Sequence, residues 1–214
     1  MIIVFDLDGT LINSELRHQI LLARILKEYK ISYEDKLEGY LEYKKSGNGN
    51  LKFLQEVLNI DKTLAYEIQK KWMENIENRE YLTYDKVYPE VIPILNKLYE
   101  KDEIYYLTAR SNRENLLKEL EYLQIEKYAQ EIFVVNPKKA IEEKRKIITA
   151  ISRNGKTFLI GDTEVEYEAG KQLLSVYTKI LNRGFRNKEF FESKKIKTYN
   201  NLCEIFKEVQ VEKC

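Results

Sequence analysis

One histidine, His18, is present among 214 residues. Chemistry that needs several imidazoles, such as a His-rich zinc site or a histidine relay, is therefore excluded. Cysteine is nearly as scarce, with only Cys203 and Cys214. Both lie near one terminus and make a poor disulfide framework, so free thiols in a reducing compartment are expected. A surplus of one charge is also lacking: 36 Lys and Arg face 35 Asp and Glu. A nucleic-acid surface needs clustered positive excess, so no nucleic-acid partner is expected. No run approaches the roughly 18 uncharged apolar residues of a membrane span, so no membrane partner is expected either. The opening Met1-Ile2-Ile3-Val4-Phe5-Asp6 is too short for a signal peptide and has no basic lead-in. The expectation is a cytoplasmic protein.

What is present is a repeated design. Short β-branched or aromatic runs end on small polar or acidic residues. Ile2 to Phe5 runs into Asp6, Ile104 to Leu107 into Thr108, and Phe158 to Ile160 into Gly161-Asp162. Ile132 to Val135 ends at Asn136-Pro137, and a run around Ser175 to Leu181 ends at Asn182-Arg183-Gly184. Continuous apolar runs of this length suit strands covered on both faces. Between them lie helical patterns over Glu90 to Lys101, Arg113 to Leu123 and Ala140 to Ile151. Alternation of strand and helix predicts an α/β fold, a Rossmann-like parallel sheet with helices on both faces. Ligands of such sheets bind beyond the carboxyl ends of the strands, where the polar terminators sit.

Residues 14–88 break the alternation and read as helices without strands. Leu16, Ile20, Ala23 and Leu26 form one stripe, Leu51, Leu54, Val57 and Leu58 a second, and Leu64, Ile68, Trp72 and Ile76 a third. The expected organisation is a core of residues 1–13 and 89–214, with a small all-helical unit at 14–88. The lysine-rich stretch from Lys188 to Lys197 reads as solvated surface.

Asp6-Leu7-Asp8-Gly9-Thr10 is the strongest local signal. Two carboxylates stand where a strand ends, and Gly9 lets the chain turn sharply. With its flanks, Phe5-Asp6-Leu7-Asp8-Gly9-Thr10-Leu11 resembles the first motif of the haloacid dehalogenase superfamily. Leu107-Thr108-Ala109-Arg110 resembles its second motif. Ile160-Gly161-Asp162-Thr163-Glu164-Val165-Glu166 resembles its fourth. Asn182-Arg183-Gly184-Phe185-Arg186 resembles the family's last strand and turn. The 14–88 insertion stands where C1 members, including phosphoglycolate phosphatases, carry a helical cap.

The resemblance implies roles. Asp6 attacks phosphorus and forms an aspartyl-phosphate. Asp8 protonates the leaving oxygen and then activates water. Thr108 hydrogen-bonds a phosphoryl oxygen. Asp6, the Asp8 backbone carbonyl and Asp162 hold Mg²⁺. Four carboxylates, of Asp6, Asp8, Asp162 and Glu166, beside a phosphate monoester call for a hard cation with oxygen ligands. Glu166 replaces the aspartate common in the family, so it either reaches the metal through water or holds the loop. Glu164 points to solvent or supports the loop.

The family also requires a lysine between the second and fourth motifs. Lys144 falls on the apolar face of its helix, where a lone lysine needs a charged partner. Lys138 is the alternative, and Lys139 a further one. Ala109, Arg110, Asn112, Arg17 and His18 are candidates for holding substrate. The implied function is Mg²⁺-dependent hydrolysis of a small phosphorylated metabolite. A phosphomutase of the β-phosphoglucomutase kind is the alternative, and a non-enzymatic phosphate-ligand binding protein stands behind it.

Overall fold

The computed structural model describes residues 1–152 and 155–211. The chain opens with strand β1 (Ile2–Phe5) and the short β2 (Ile12–Asn13). Six helices follow: α1 (Glu15–Glu28), α2 (Glu34–Leu37), α3 (Tyr40–Lys45), α4 (Asn50–Glu56), α5 (Lys62–Asn75) and α6 (Arg79–Leu82). Strand β3 (Lys86–Val87) returns the chain to α7 (Val91–Tyr99), β4 (Glu103–Ala109) and α8 (Arg113–Tyr122). Then come β5 (Glu131–Val135), α9 (Ala140–Ile151), β6 (Thr157–Gly161) and α10 (Glu164–Gly170). The chain continues through β7 (Val176–Leu181), α11 (Lys188–Ser193), β8 (Thr198–Tyr199) and α12 (Leu202–Val211).

The main sheet has six strands in the order β5-β4-β1-β6-β7-β8, every pair parallel. β1 is interior and buried throughout, which explains its unbroken apolar sequence. Its side chains alternate between two layers. Ile3 and Phe5 pack with Val91 and Leu95 of α7, Leu116 and Leu120 of α8, and Leu202 and Ile205 of α12. Val4 and Ile2 pack with Ala140 and Ile148 of α9 and Ala169 of α10. Register brings Phe5 beside both Tyr106 and Ile160, so the residues after β1, β4 and β6 emerge at one sheet edge.

Residues of α1 to α6 bury a separate apolar cluster that includes Leu22, Ile25, Tyr40, Phe53, Leu54 and Ile68. Asp61 caps α5 by accepting from the backbone N–H of Thr63 and Leu64, at 3.0 and 3.1 Å.

Three details depart from expectation. The insertion is not free of strands at its margin: β2 and β3 pair antiparallel, Ile12 with Val87 and Asn13 with Lys86. Two-residue strands carry no readable period. The stripe on α1 holds for Ile20, Ala23 and Leu26, which pack into that cluster, but Leu16 is 45% exposed while Arg17 and His18 are buried. The Lys188 to Lys197 stretch contains a helix anchored by buried Phe191 and Ile196 rather than being surface alone. Cys203 is an exposed free thiol, and Cys214 lies outside the described residues. Among the described residues no helix is long and apolar enough to cross a membrane.

Candidate active site

Three chain segments converge where β1, β4 and β6 end. Asp6, Asp8, Thr108, Lys144, Asp162 and Glu166 line one cavity of about 220 Å³. Asp6 is fixed by its backbone N–H, which donates to Ile160 O at 2.9 Å. Its carboxylate Oδ1 accepts from Lys144 Nζ at 2.7 Å. Lys144 is 2% exposed and reaches Glu166 Oε1 at 2.5 Å as well. Of the three lysines weighed, Lys144 is the one that meets Asp6. Lys138 and Lys139 are exposed on the turn before α9.

Burial pushes the Asp6 carboxyl up to about 7, with Lys144 opposing the rise and Glu166 adding to it. Burial also works against the Lys144 ammonium, but Asp6 and Glu166 outweigh it and hold the group above the usual lysine range. Burial raises Glu166, and Lys144 outweighs it, leaving the carboxyl below its ordinary value. A buried ion pair is worth little net energy unless every member is satisfied, so this triad fixes geometry more than it adds stability.

Glu166 is the first surprise. Its Oε2 accepts from Thr163 N at 3.2 Å and from Thr163 Oγ1 at 2.6 Å, while Oε1 faces Lys144. Thr163 Oγ1 in turn accepts from Val165 N, so Thr163 and Glu166 form a capping box at the start of α10. Both oxygens of Glu166 are committed to protein donors. Glu164 supports the loop instead of facing solvent: Arg186 donates to both of its oxygens at 2.8 Å.

Asp162 is fully buried. Its Oδ2 accepts from Phe185 N at 3.1 Å, while Oδ1 has no hydrogen-bond partner. Burial, then Asp6, then Glu166 push its carboxyl well above the usual range. A buried carboxylate oxygen without a donor, beside a second raised carboxyl, is the donor set expected around a hard cation. The fit extends to the backbone. Gly9 has φ +76° and a Cβ there would sit 2.1 Å from Asp162 Oδ2. Gly184 has φ +73° and a Cβ there would sit 2.4 Å from the same atom. Among the described residues no three acidic, His or Cys side chains converge as a ready-made cage. Two carboxylates and a backbone carbonyl do not require one.

Asp8 is held differently. Arg110 Nε donates to Oδ2 at 2.6 Å and Arg110 Nη2 to Oδ1 at 2.9 Å. Arg17 Nη2 donates to Oδ1 at 2.5 Å. Burial raises the Asp8 carboxyl, but Arg110 and Arg17 outweigh it and hold it well below the usual range. Both arginines thus meet the site, binding Asp8 and lining the adjoining cavity as well. His18 lies beside Arg17 in the adjoining cavity of about 250 Å³, together with Trp72, Glu77, Ala109 and Phe185. Thr108 is buried at the end of β4, and Asn112 caps α8 by accepting from Asn115 N. A larger groove of about 710 Å³ runs along α9 past Lys138, Lys139 and Lys146, but holds none of the acids.

Several participants were not anticipated. Lys44 is buried, approaches His18 Nδ1 at 2.7 Å, and lies 4.5 Å from the Phe185 ring centroid. Burial, then Arg186 and Arg17, push Lys44 down to about 7. Glu77 accepts from the backbone N–H of Ser111 at 2.9 Å and of Asn112 at 2.6 Å, tying the helical insertion to the start of α8. Asp85 and Glu119 are buried behind the arginines. Only Glu119 left a trace in the sequence: it stands between Leu116 and Leu120 on an apolar stripe, the same anomaly that singled out Lys144.

Residues 1–173 match the family model for haloacid dehalogenase-like hydrolases. The phosphoglycolate phosphatase of Aquifex aeolicus (strain VF5) is 30% identical over 183 residues, covering 80% of each chain. Among solved structures, a haloacid dehalogenase-like family hydrolase from Streptococcus pneumoniae superposes with a TM-score of 0.74 at 17% identity, covering 97% of both chains. A predicted phosphatase from Clostridium acetobutylicum gives 0.70 at 17% identity, again over 97% of both. At that identity the structures speak for the fold alone.

Proposed function

The chain belongs to the haloacid dehalogenase-like hydrolases, and on that premise we propose that it is a Mg²⁺-dependent phosphatase acting on a small phosphorylated metabolite through an Asp6 aspartyl-phosphate. The single observation that carries this reading is the Asp6–Lys144–Glu166 triad beside Asp162, at the ends of adjoining strands. An ionised carboxylate is the nucleophile, and the Lys144 ammonium at 2.7 Å favours that form, opposing part of the effect of burial.

Asp6 Oδ1 or Oδ2 attacks phosphorus, the ester P–O bond breaks, and the leaving oxygen takes a proton from Asp8, which carries one only when the bound substrate draws it away from Arg17 and Arg110. Asp8 then removes a proton from the water that hydrolyses the acyl-phosphate, and Asp6 is regenerated. Thr108 offers a hydroxyl and its backbone N–H to the phosphoryl oxygens. Asp6, the Asp8 carbonyl and Asp162 are the residues that would hold Mg²⁺. When bound, that cation neutralises charge on the phosphoryl group and polarises it. Glu166 is assigned to the lysine and to Thr163 rather than to the metal.

Residues 14–88 act as the cap in this reading. They place His18, Trp72 and Glu77 over the cavity and restrict it to small substrates. The relative from Aquifex aeolicus makes 2-phosphoglycolate the first ester to test. The experiment is phosphate release from a panel of phosphorylated metabolites with and without Mg²⁺. Release that requires Mg²⁺ supports the reading. Isomerised sugar phosphate without free phosphate would make the chain a mutase, and no turnover of any ester would overturn the enzymatic reading.

A further inference from the structure

Lys44 is a buried cation to which no described residue offers an ion-pair partner. It lies on α3, one turn after Tyr40. Asp8 and Glu15 act on it only from a distance. Its surroundings are aromatic: the ring centroids of Phe185, Trp72 and Tyr40 lie 4.5, 5.3 and 5.5 Å from Nζ. Such faces attract an ammonium, yet they recover only part of what burying it costs. Among the described residues its one polar contact is His18 Nδ1, at 2.7 Å.

That contact decides the state of the imidazole. An ammonium has three N–H groups and no lone pair, so it can only donate. Nδ1 is then the acceptor, and the proton of a neutral ring sits on Nε2. The ring is neutral, because burial, then Lys44, Arg17 and Arg110, hold His18 well below its ordinary value. Two neighbours clamp the ring, Phe185 with its centroid at 4.3 Å and Trp72 at 5.1 Å. His18, Trp72 and Phe185 line the same cavity as Asp8, and Lys44 stands behind them. The two ring nitrogens lie on different edges. With Nδ1 turned to Lys44, Nε2 is left without a partner among the described residues.

We infer that Lys44 is a positioning residue for His18, and that His18 presents Nε2–H to the alcohol part of the substrate, selecting phosphate esters whose alcohol carries an acceptor oxygen. The inference deepens the phosphatase reading and rests on it. A carboxylate, carbonyl or hydroxyl oxygen satisfies the donor, whereas a plain alkyl chain strips it of water and leaves it unpaired. A carboxylate also brings the negative charge that Lys44 lacks.

His18 is the single histidine of the chain, so its protonation is read without ambiguity. The first measurement is the nitrogen NMR spectrum of protein carrying isotope-labelled histidine. It is taken below the value of about 7 to which burial chiefly pushes Lys44, so that Lys44 is an ammonium. The expected result is a proton on Nε2 and none on Nδ1. A proton on Nδ1, alone or together with one on Nε2, overturns the inference. Lys44→Met removes the donor along with an unpaired buried charge. It is expected to melt no lower than wild type and to populate both neutral tautomers.

The second measurement is kcat/KM for 2-phosphoglycolate against ethyl phosphate, which has a methyl group in place of the carboxylate. Wild type is expected to favour 2-phosphoglycolate by about tenfold or more. His18→Ala and Lys44→Met are expected to cut that preference at least about fivefold, through KM more than kcat. His18→Gln keeps an N–H donor and is expected to retain part of it.

No preference in wild type, or an undiminished one in His18→Ala, overturns the donor role. An undiminished preference in Lys44→Met, or a spectrum there without the Nδ1–H tautomer, overturns the positioning role. If Lys44→Met fails to fold, the wild-type spectrum and His18→Ala decide. Should the wild type hydrolyse neither ester, the phosphatase reading fails on these substrates and the donor role with it, while the spectra still decide whether Lys44 sets His18.

Discussion

Arg110 grips Asp8 with two nitrogens, Nε on Oδ2 at 2.6 Å and Nη2 on Oδ1 at 2.9 Å. The planar fork of a guanidinium matches a carboxylate in a way that an ammonium cannot. Arg110→Lys is therefore expected to lower kcat by at least about tenfold, within the range that misplacing a general acid produces. Steady-state kinetics with 2-phosphoglycolate check this. A variant with unchanged kcat would show that Asp8 needs no clamp.

Lys144 lies between Asp6 and Glu166, at 2.7 and 2.5 Å. Lys144→Met leaves two buried carboxylates without a cation. A loss of about 3–5 kcal/mol in stability is expected near neutral pH, together with loss of phosphate release. Denaturant unfolding measures the first and a phosphate assay the second. Lowering the pH should restore part of the lost stability, since protonation removes the stranded charges.

Glu166 spends Oε1 on Lys144 and Oε2 on Thr163. Glu166→Gln is expected to lower kcat while leaving the Mg²⁺ concentration for half-maximal activity within about threefold of wild type. Asp162→Asn removes an oxygen donor and should raise that concentration by about tenfold or more, or abolish activity. A Mg²⁺ titration of both variants separates holding the lysine from holding the metal.

Asp85 carries a carboxyl pushed up to about 9 from an ordinary value of 3.8, first by burial. A raised folded-state value stabilises the fold fully below the unfolded value. That contribution is lost as pH rises, across a window from about 4 to about 9. The slope is at most about 1.4 kcal/mol per pH unit for this one group. Asp85→Asn has no such proton to take up. Its stability relative to wild type should therefore rise across that window, measured by urea unfolding at several pH values. A constant difference would contradict the protonated Asp85.

Gly9 has φ +76° with the place of a Cβ only 2.1 Å from Asp162 Oδ2. Gly9→Ala combines backbone strain with displacement of Asp162. It should destabilise by about 1–3 kcal/mol and raise the Mg²⁺ requirement.

Much of this site was legible in the sequence. The sheet was readable because its interior strands are short apolar runs that end abruptly, as Phe5-Asp6 and Ile160-Gly161-Asp162 show. Lys144 was readable because an i, i+4 helix position placed a charge on an apolar face. Arg17 and His18 were named as possible substrate contacts, yet the α1 stripe missed them and began instead at Leu16, which is exposed. Those two polar groups occupy buried positions that apolar periodicity assigns to hydrophobes. Asp85 was silent, since it stands in a connection with no period, and its partners are distant in the chain. Lys44 was equally silent, because its burial comes from Trp72 and Phe185, brought together only by folding.

The central claim is that Asp6 becomes covalently phosphorylated. The most direct measurement is an acid quench during turnover of 2-phosphoglycolate with Mg²⁺, followed by borohydride reduction and peptide mass spectrometry. An aspartyl-phosphate is reduced to homoserine, so the account predicts homoserine at position 6 alone, with none in Asp6→Asn and no phosphate release by that variant. Full turnover by Asp6→Asn, or homoserine elsewhere and none at position 6, would contradict it.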